Sequence, residues 1–142
     1  MLRRSRAREV VLQLLYQDDL QPQREVAPDL TFIEQRLHRD KNLVAFAQSL
    51  LNGVRRNRAE LDTTLEQLAE NWSLNRMAVT DRNVLRIGAF EILYSDTPGR
   101  VAINEAVELA KRFGAKQSAQ FVNGLLDKLL PDDEKTDGVP EE

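Results

Sequence analysis

Residues 101–130 read VAINEAVELAKRFGAKQSAQFVNGLLDKLL, and the spacing within them sets the fold class. Ile103, Ala106, Val107 and Ala110 recur at the three- and four-residue steps of a helix. Gly114 then stops the pattern, as a residue just past a helix end does. Val122, Leu125, Leu126 and Leu129 form a second stripe that ends before Pro131, which has no N–H to continue a helix. Thirty residues thus carry two amphipathic helices and two stops.

Upstream of this stretch the same period recurs, and no run alternates as a half-buried strand would. A first helix is expected from about Arg4 to Leu20, with Ala7, Val10, Val11, Leu14 and Leu15 inward. Pro22 and Pro28 bracket a loop, and Phe32, Ile33 and Leu37 mark a short second helix. Phe46, Ala47, Leu50, Leu51 and Val54 mark a third; Leu61, Leu65, Leu68 and Ala69 mark a fourth. Thr80 is placed to cap a fifth helix, with Asp81 against its positive dipole end. From Val84 to Leu93 that helix is apolar nearly all round, which puts it at the centre of the fold. Gly88 in its interior costs on the order of 1 kcal/mol relative to alanine, so close helix approach is expected there. Arg86 on the same helix needs a carboxylate if buried, and Glu91 or Glu105 can supply it. Seven helices with short links predict an all-α bundle.

The chain has 142 residues, 42% apolar and 30% charged, with no cysteine. That length suits one domain without metals or disulfides, and thiolate chemistry is excluded. No apolar stretch approaches the roughly 20 residues of a membrane span. No cleavable leader follows the basic start, so a cytoplasmic protein is expected. Net charge is −3, but unevenly spread. Six acids and one lysine follow Pro131, a net of −5, which leaves +2 on residues 1–131. Residues 132–142 lack any apolar pattern and are expected to be a disordered acidic tail behind a single helical domain, 1–131.

Catalysis finds little support. His38 lies among Arg39, Asp40 and Lys41 in a solvated stretch, and Glu105, Glu108 and Lys111 read as an exposed helix face. Phosphate loops, nucleophile elbows and metal-ligand spacings are missing from the sequence, so neither enzyme activity nor a cofactor or metal is expected. The N-terminal arginines are more informative. Arg4 and Arg8 share one helix face; Arg6, Gln13 and Tyr16 share another. Guanidinium groups for phosphates, a ring for stacking and an amide for base edges suit single-stranded RNA. The competing reading is a basic, solvated helix start, although cations there oppose the helix dipole. Arg55, Arg56 and Arg58 either extend the basic surface or form a solvated helix end. Gln117 and Gln120 occupy the polar side of the last helix, with Phe121 at the edge of its apolar stripe.

Three blocks, RRSRAREVVLQLLYQ at 3–17, DRNVLRIGAFEIL at 81–93 and the opening stretch at 101–130, resemble the NusB family. The resemblance implies seven helices in two packed three-helix bundles. It implies a transcription antitermination factor that binds boxA RNA in ribosomal RNA operon leaders. The partners implied are NusE, a small-subunit ribosomal protein, and through the complex RNA polymerase and other Nus factors. By position, Arg4, Arg6, Arg8 and Tyr16 match the family's RNA-binding arm, while Gln117 and Ser118 match the start of the last helix, a second RNA contact. Gln117 stands where an acid is frequent, and Ser5 breaks the first arginine cluster. Asp81 and Phe121 match positions facing NusE. The RNA-binding set expected is therefore Arg4, Arg6, Arg8, Gln13, Tyr16, Gln117, Ser118 and Gln120.

Two other readings remain. One is an interaction module of the same fold without sequence-specific RNA binding. The other, a helical domain preceding an RNA methyltransferase, requires an α/β domain for which 142 residues leave no room. A homodimer is compatible with either binding reading. If Arg4, Arg6 and Arg8 each neutralise one phosphate, the log–log salt slope of RNA binding is near −2, roughly −0.7 per contact.

Overall fold

The computed structural model describes residues 3–70 and 72–135, and every regular element among them is helical. Seven α-helices follow in order: α1 (Arg4–Leu20), α2 (Asp29–Arg36), α3 (Lys41–Arg56), α4 (Arg58–Leu68), α5 (Val79–Tyr94), α6 (Gly99–Phe113) and α7 (Ser118–Asp127). Short 3₁₀ turns occupy Leu74–Arg76 and Asp132–Glu134. The second of these lies in the segment expected to be disordered; 136–142 fall outside the described residues. No helix among the described residues is long and apolar enough to cross a membrane.

Helices α1, α2 and α3 pack on one another, as do α5, α6 and α7. α5 also touches α1, α3 and α4, so it joins the two bundles. Its nine successive residues from Asn83 to Glu91 are all buried, in accord with its apolar circumference. The expected inner face of α1 is buried throughout. Leu61, Leu65, Leu85 and Leu126 are each under 2% exposed, and each contributes about 1.5–3 kcal/mol by leaving water.

Glycine sets the spacing between bundles by what a side chain would strike. A Cβ on Gly88 would lie 2.5 Å from Leu126 Cδ1 and 3.2 Å from Ala106 Cβ, so α5, α6 and α7 converge there as expected. One on Gly53 would meet the Phe90 ring at 2.2 Å, which fixes α3 against α5. Gly114 ends α6, but with extended backbone (φ −96°, ψ −170°) and not the left-handed geometry of a C′ glycine. Its requirement is space, because a Cβ would sit 2.7 Å from Ser118 Oγ and 2.8 Å from the Ala110 carbonyl.

Two other expectations are corrected. Thr80 does not cap α5: the helix starts at Val79 behind Ala78, without a side-chain cap, and Thr80 falls inside the first turn. Arg86 pairs with neither Glu91 nor Glu105. Its Nε and Nη2 donate to Asp62 at 2.7 and 3.0 Å, and its Nη1 donates to Asp19 at 3.0 Å. Asp19, with 1% of its side chain exposed, also accepts from Arg58 at 2.6 Å, Arg82 at 2.9 Å and Asn83 at 2.9 Å. Burial alone would raise its pKa. The Arg82 hydrogen bond, the Arg86 charge, the Asn83 amide and the Arg58 charge outweigh that and hold it at about 2. This carboxylate locks α1 to α4 and α5.

Candidate nucleic-acid and partner interface

The arginine arm divides according to which side of α1 each residue takes. Arg4 is exposed, its guanidinium 4.4 Å from the Phe46 ring centroid, supplied by α3; such stacking fixes a cation while leaving its N–H groups outward. Arg6 keeps 40% of its side chain exposed and donates to Glu9 at 2.9 Å. Arg8 departs from expectation. It is 3% exposed, and its Nε and Nη2 donate to Glu91 Oε1 and Oε2, both at 2.7 Å. Thr97 Oγ1 donates to the same carboxylate at 3.0 Å, and Glu105 stands 3.6 Å from Arg8 Nη1. Arg4 and Arg8 do share a face, but that face turns inward one helical turn along, where α5 offers a bidentate acid. Arg8 is thereby withdrawn from the RNA-binding set. Ser5, which interrupts the arginines, donates to Glu105 at 2.8 Å.

Arg6, Gln13 and Tyr16 come together as expected. With Glu9, Leu12, Thr80 and Phe113 they line a groove of about 380 Å³ between α1, the start of α5 and the end of α6. Tyr16 is 38% and Phe113 46% exposed, so two rings flank the groove where the sequence suggested one. By helical period Phe113 falls in phase with Ala106 and Ala110 and so reads as a core position; its place as the last residue of α6 leaves it exposed. At the rim, Arg112 donates to Glu9 and lies 5.3 Å from the Phe113 centroid.

Gln117, Ser118 and Gln120 are not in this groove. Gln117 and Ser118 line a separate pocket of about 270 Å³ with Asp81, Phe121, Met77 and Trp72. Ser118 is a second correction: it is 3% exposed, and its Oγ accepts the Ala115 N–H at 2.9 Å, stapling the α6–α7 turn. Its hydroxyl is committed inside the protein. Gln120 opens instead onto a groove on the far side of Phe121, beside Trp72, Gly124 and Lys128. The expected partner residues Asp81 and Phe121 do share one pocket. Asp81 Oδ1 is buried and accepts no hydrogen bond among the described residues, which costs about 1–3 kcal/mol unless a donor arrives. Trp72, 54% exposed, stands at the junction of both cavities and carries the amphipathic area typical of an interface anchor. A single ridge separates this surface from the Tyr16 groove, since adjacent Thr80 and Asp81 face opposite sides of it, as do Phe113 and Ala115.

The second basic cluster is largely neutralised. Arg55 donates to Asp18 and to Asp29 at 2.8 Å each, and Arg58 to Asp19, which leaves only Arg56 of the three exposed without an ion pair. His38 is exposed, as expected. Among the described residues no cluster of three or more His, Cys, Asp or Glu side chains is arranged to hold a metal.

The sequence profile of the NusB family matches residues 5–131. A protein of Anaeromyxobacter sp., named transcription antitermination protein NusB, is 41% identical over 140 residues, covering 96% of this chain and 98% of its own length. A Myxococcus xanthus protein of the same name is 44% identical over 130 residues, covering 89% and 93%. Among solved structures, T. maritima NusB superposes with a TM-score of 0.81 at 35% identity, covering 94% of this chain and 93% of that one. A structure described as antitermination factors NusB and NusE in complex with dsRNA gives 0.73 at 26% identity, with 91% and 97% covered.

Proposed function

The chain belongs to the NusB family, and on that premise we propose how its two adjoining surfaces divide the work of a transcription antitermination factor. It acts by binding, without catalysis. Its partners are RNA and NusE, which are seen together with a NusB protein in a similar structure. The RNA is the boxA element of ribosomal RNA leaders, and the complex engages RNA polymerase with other Nus factors in the cytoplasm.

The observation that carries the reading is the groove of Arg6, Gln13, Tyr16, Thr80 and Phe113. A cation, an amide, a hydroxyl and two exposed rings converge within it. Phosphate contacts from Arg4 and Arg6 give affinity and register; base stacking on Tyr16 and Phe113, with Gln13 at base edges, gives sequence preference. Across the ridge, the pocket of Asp81, Gln117, Phe121 and Trp72 receives NusE. Asp81, a buried acceptor without a donor, supports a partner that brings an N–H or O–H group. Gln117 and Gln120 flank that pocket, where RNA leaving the groove and NusE both pass.

Fluorescence anisotropy with boxA RNA and a scrambled RNA, each with and without NusE, tests this. Preference for boxA that strengthens with NusE is the expected result. Equal, weak binding of both RNAs under both conditions would leave the fold as an interaction module without sequence-specific RNA binding.

A further inference from the structure

We propose that Arg112 is a further RNA-phosphate contact, and that Glu9 positions it beside Arg6 to form a two-point clamp at the mouth of the Tyr16–Phe113 groove. The inference rests on the RNA-binding reading above and adds to it a cation from α6 and an acid with a defined task.

The well-buried arginines of the fold are held by one or more acids: Arg8 by Glu91, Arg24 and Arg55 by Asp18 and Asp29 together, and Arg86 by Asp19 and Asp62. Arg6 and Arg112 differ because two well-exposed guanidiniums have a single acid between them. Glu9 Oε1 accepts from Arg6 Nη1 at 2.9 Å, and Glu9 Oε2 accepts from Arg112 Nη1. The Glu9 side chain is 9% exposed, whereas those of Arg6 and Arg112 are 40% and 58% exposed. The anion therefore lies behind and the two cations in front. Each guanidinium carries five N–H donors, and each gives one to Glu9, so most of the donors remain available to solvent or phosphate. Phe113 beneath Arg112 restricts its swing.

This arrangement suits a bent or single-stranded sugar–phosphate backbone better than a free anion. Two positive charges over one negative leave a net attraction for phosphate. Glu9 repels any phosphate that presses between the guanidiniums, and rewards only a backbone that meets both from outside. Glu9 thus lowers affinity for arbitrary RNA and sharpens the choice among RNAs; it is a positioning residue, not itself a phosphate ligand.

The test uses the full chain, boxA RNA and a scrambled RNA of equal length, titrated by anisotropy from 50 to 200 mM salt. Arg112→Ala, at an exposed position, should reduce the log–log salt slope by about 0.7. Over that fourfold change in salt, the parent should lose about 2.6-fold more affinity than the variant. Arg112→Lys should restore the slope and not the boxA preference, since it keeps charge without the planar fork. Glu9→Gln should bind scrambled RNA more tightly and narrow the boxA-to-scrambled ratio at least threefold. An unchanged slope in Arg112→Ala, with parent binding intact, overturns the clamp and leaves the RNA-binding reading standing. A lower slope with an unchanged ratio in Glu9→Gln overturns the positioning role. Should Glu9→Gln fail to fold by far-UV circular dichroism, the Arg112 arms still decide the contact. Absence of boxA preference in the parent removes the RNA-binding reading itself.

Discussion

Replacing Arg8 by alanine is expected to unsettle the fold and leave RNA recognition nearly untouched, the reverse of what its place in the arginine arm suggests. In the native protein Glu91 is 1% exposed and accepts two hydrogen bonds of 2.7 Å from Arg8. After truncation the donor that remains to that carboxylate among the described residues is Thr97 Oγ1 at 3.0 Å. Removing one member of a buried ion pair costs about 3–5 kcal/mol, because the partner charge stays desolvated. Against a total stability of roughly 5–15 kcal/mol, that is a large fraction. With an unfolding entropy of about 2.1 cal/mol/K per residue, a chain of this size should lose about 10–17 °C in Tm. Urea unfolding followed by far-UV circular dichroism measures the loss directly. Arg8→Met combined with Glu91→Leu should recover most of it, since apolar groups of similar volume remove both charges together. At a temperature where Arg8→Ala is folded, its RNA salt slope should equal the parent's. A loss below about 1 kcal/mol together with a slope reduced by about 0.7 would refute the assignment and return Arg8 to the RNA surface.

Three further outcomes are expected. Asp19 titrates at about 2 in the folded chain against 3.8 as its ordinary value, so the unfolded state binds the proton first and stability rises with pH. Its contribution, ~2 kcal/mol, is complete above the unfolded value and is lost as pH falls toward 2. The stability gap between the parent and Asp19→Asn should therefore be constant above about pH 5 and shrink below pH 4; a gap independent of pH across that window would be inconsistent with it. His38 follows α2 in the left-handed region at φ 54°, and Arg39 N–H bonds the Glu34 carbonyl at 2.8 Å in a Schellman-type stop. His38→Gly should raise stability by about 0.5–1 kcal/mol in thermal melts, the relief of Cβ strain exceeding the lost chain restriction. Trp72→Ala should weaken NusE binding by about 2 kcal/mol, near 30-fold, in isothermal titration, while RNA binding by the chain alone stays as it was.

The helices were legible because their determinants are local. Periodicity placed all seven, and α1 runs from Arg4 to Leu20 as expected. Family resemblance carried the arrangement of two bundles. The candidate groove was half legible: Arg6, Gln13 and Tyr16 share a face of one helix, so their meeting followed from α1 alone. Phe113, Thr80 and Arg112 joined them only because α5 and α6 pack beside α1, and no spacing in the sequence encodes that. Gln117 and Ser118 were placed by position in the family pattern, yet the ridge at Thr80 and Phe113 puts them on the Asp81 side.

Sequence by itself determined which residues are apolar at helical period, where glycine and proline stop the helices, and that positive charge gathers at the start of α1. Hydrogen bonds within four residues and the geometry of one helix suffice for those. Tertiary structure decided which charges remain available. Arg8 meets Glu91 across 83 positions, and Arg86 reaches Asp19 across 67. The free energy of a charged group depends on solvent and counter-charge brought together by packing, so identical arginines on neighbouring turns of α1 become a buried strut at one position and a solvent-exposed cation at another.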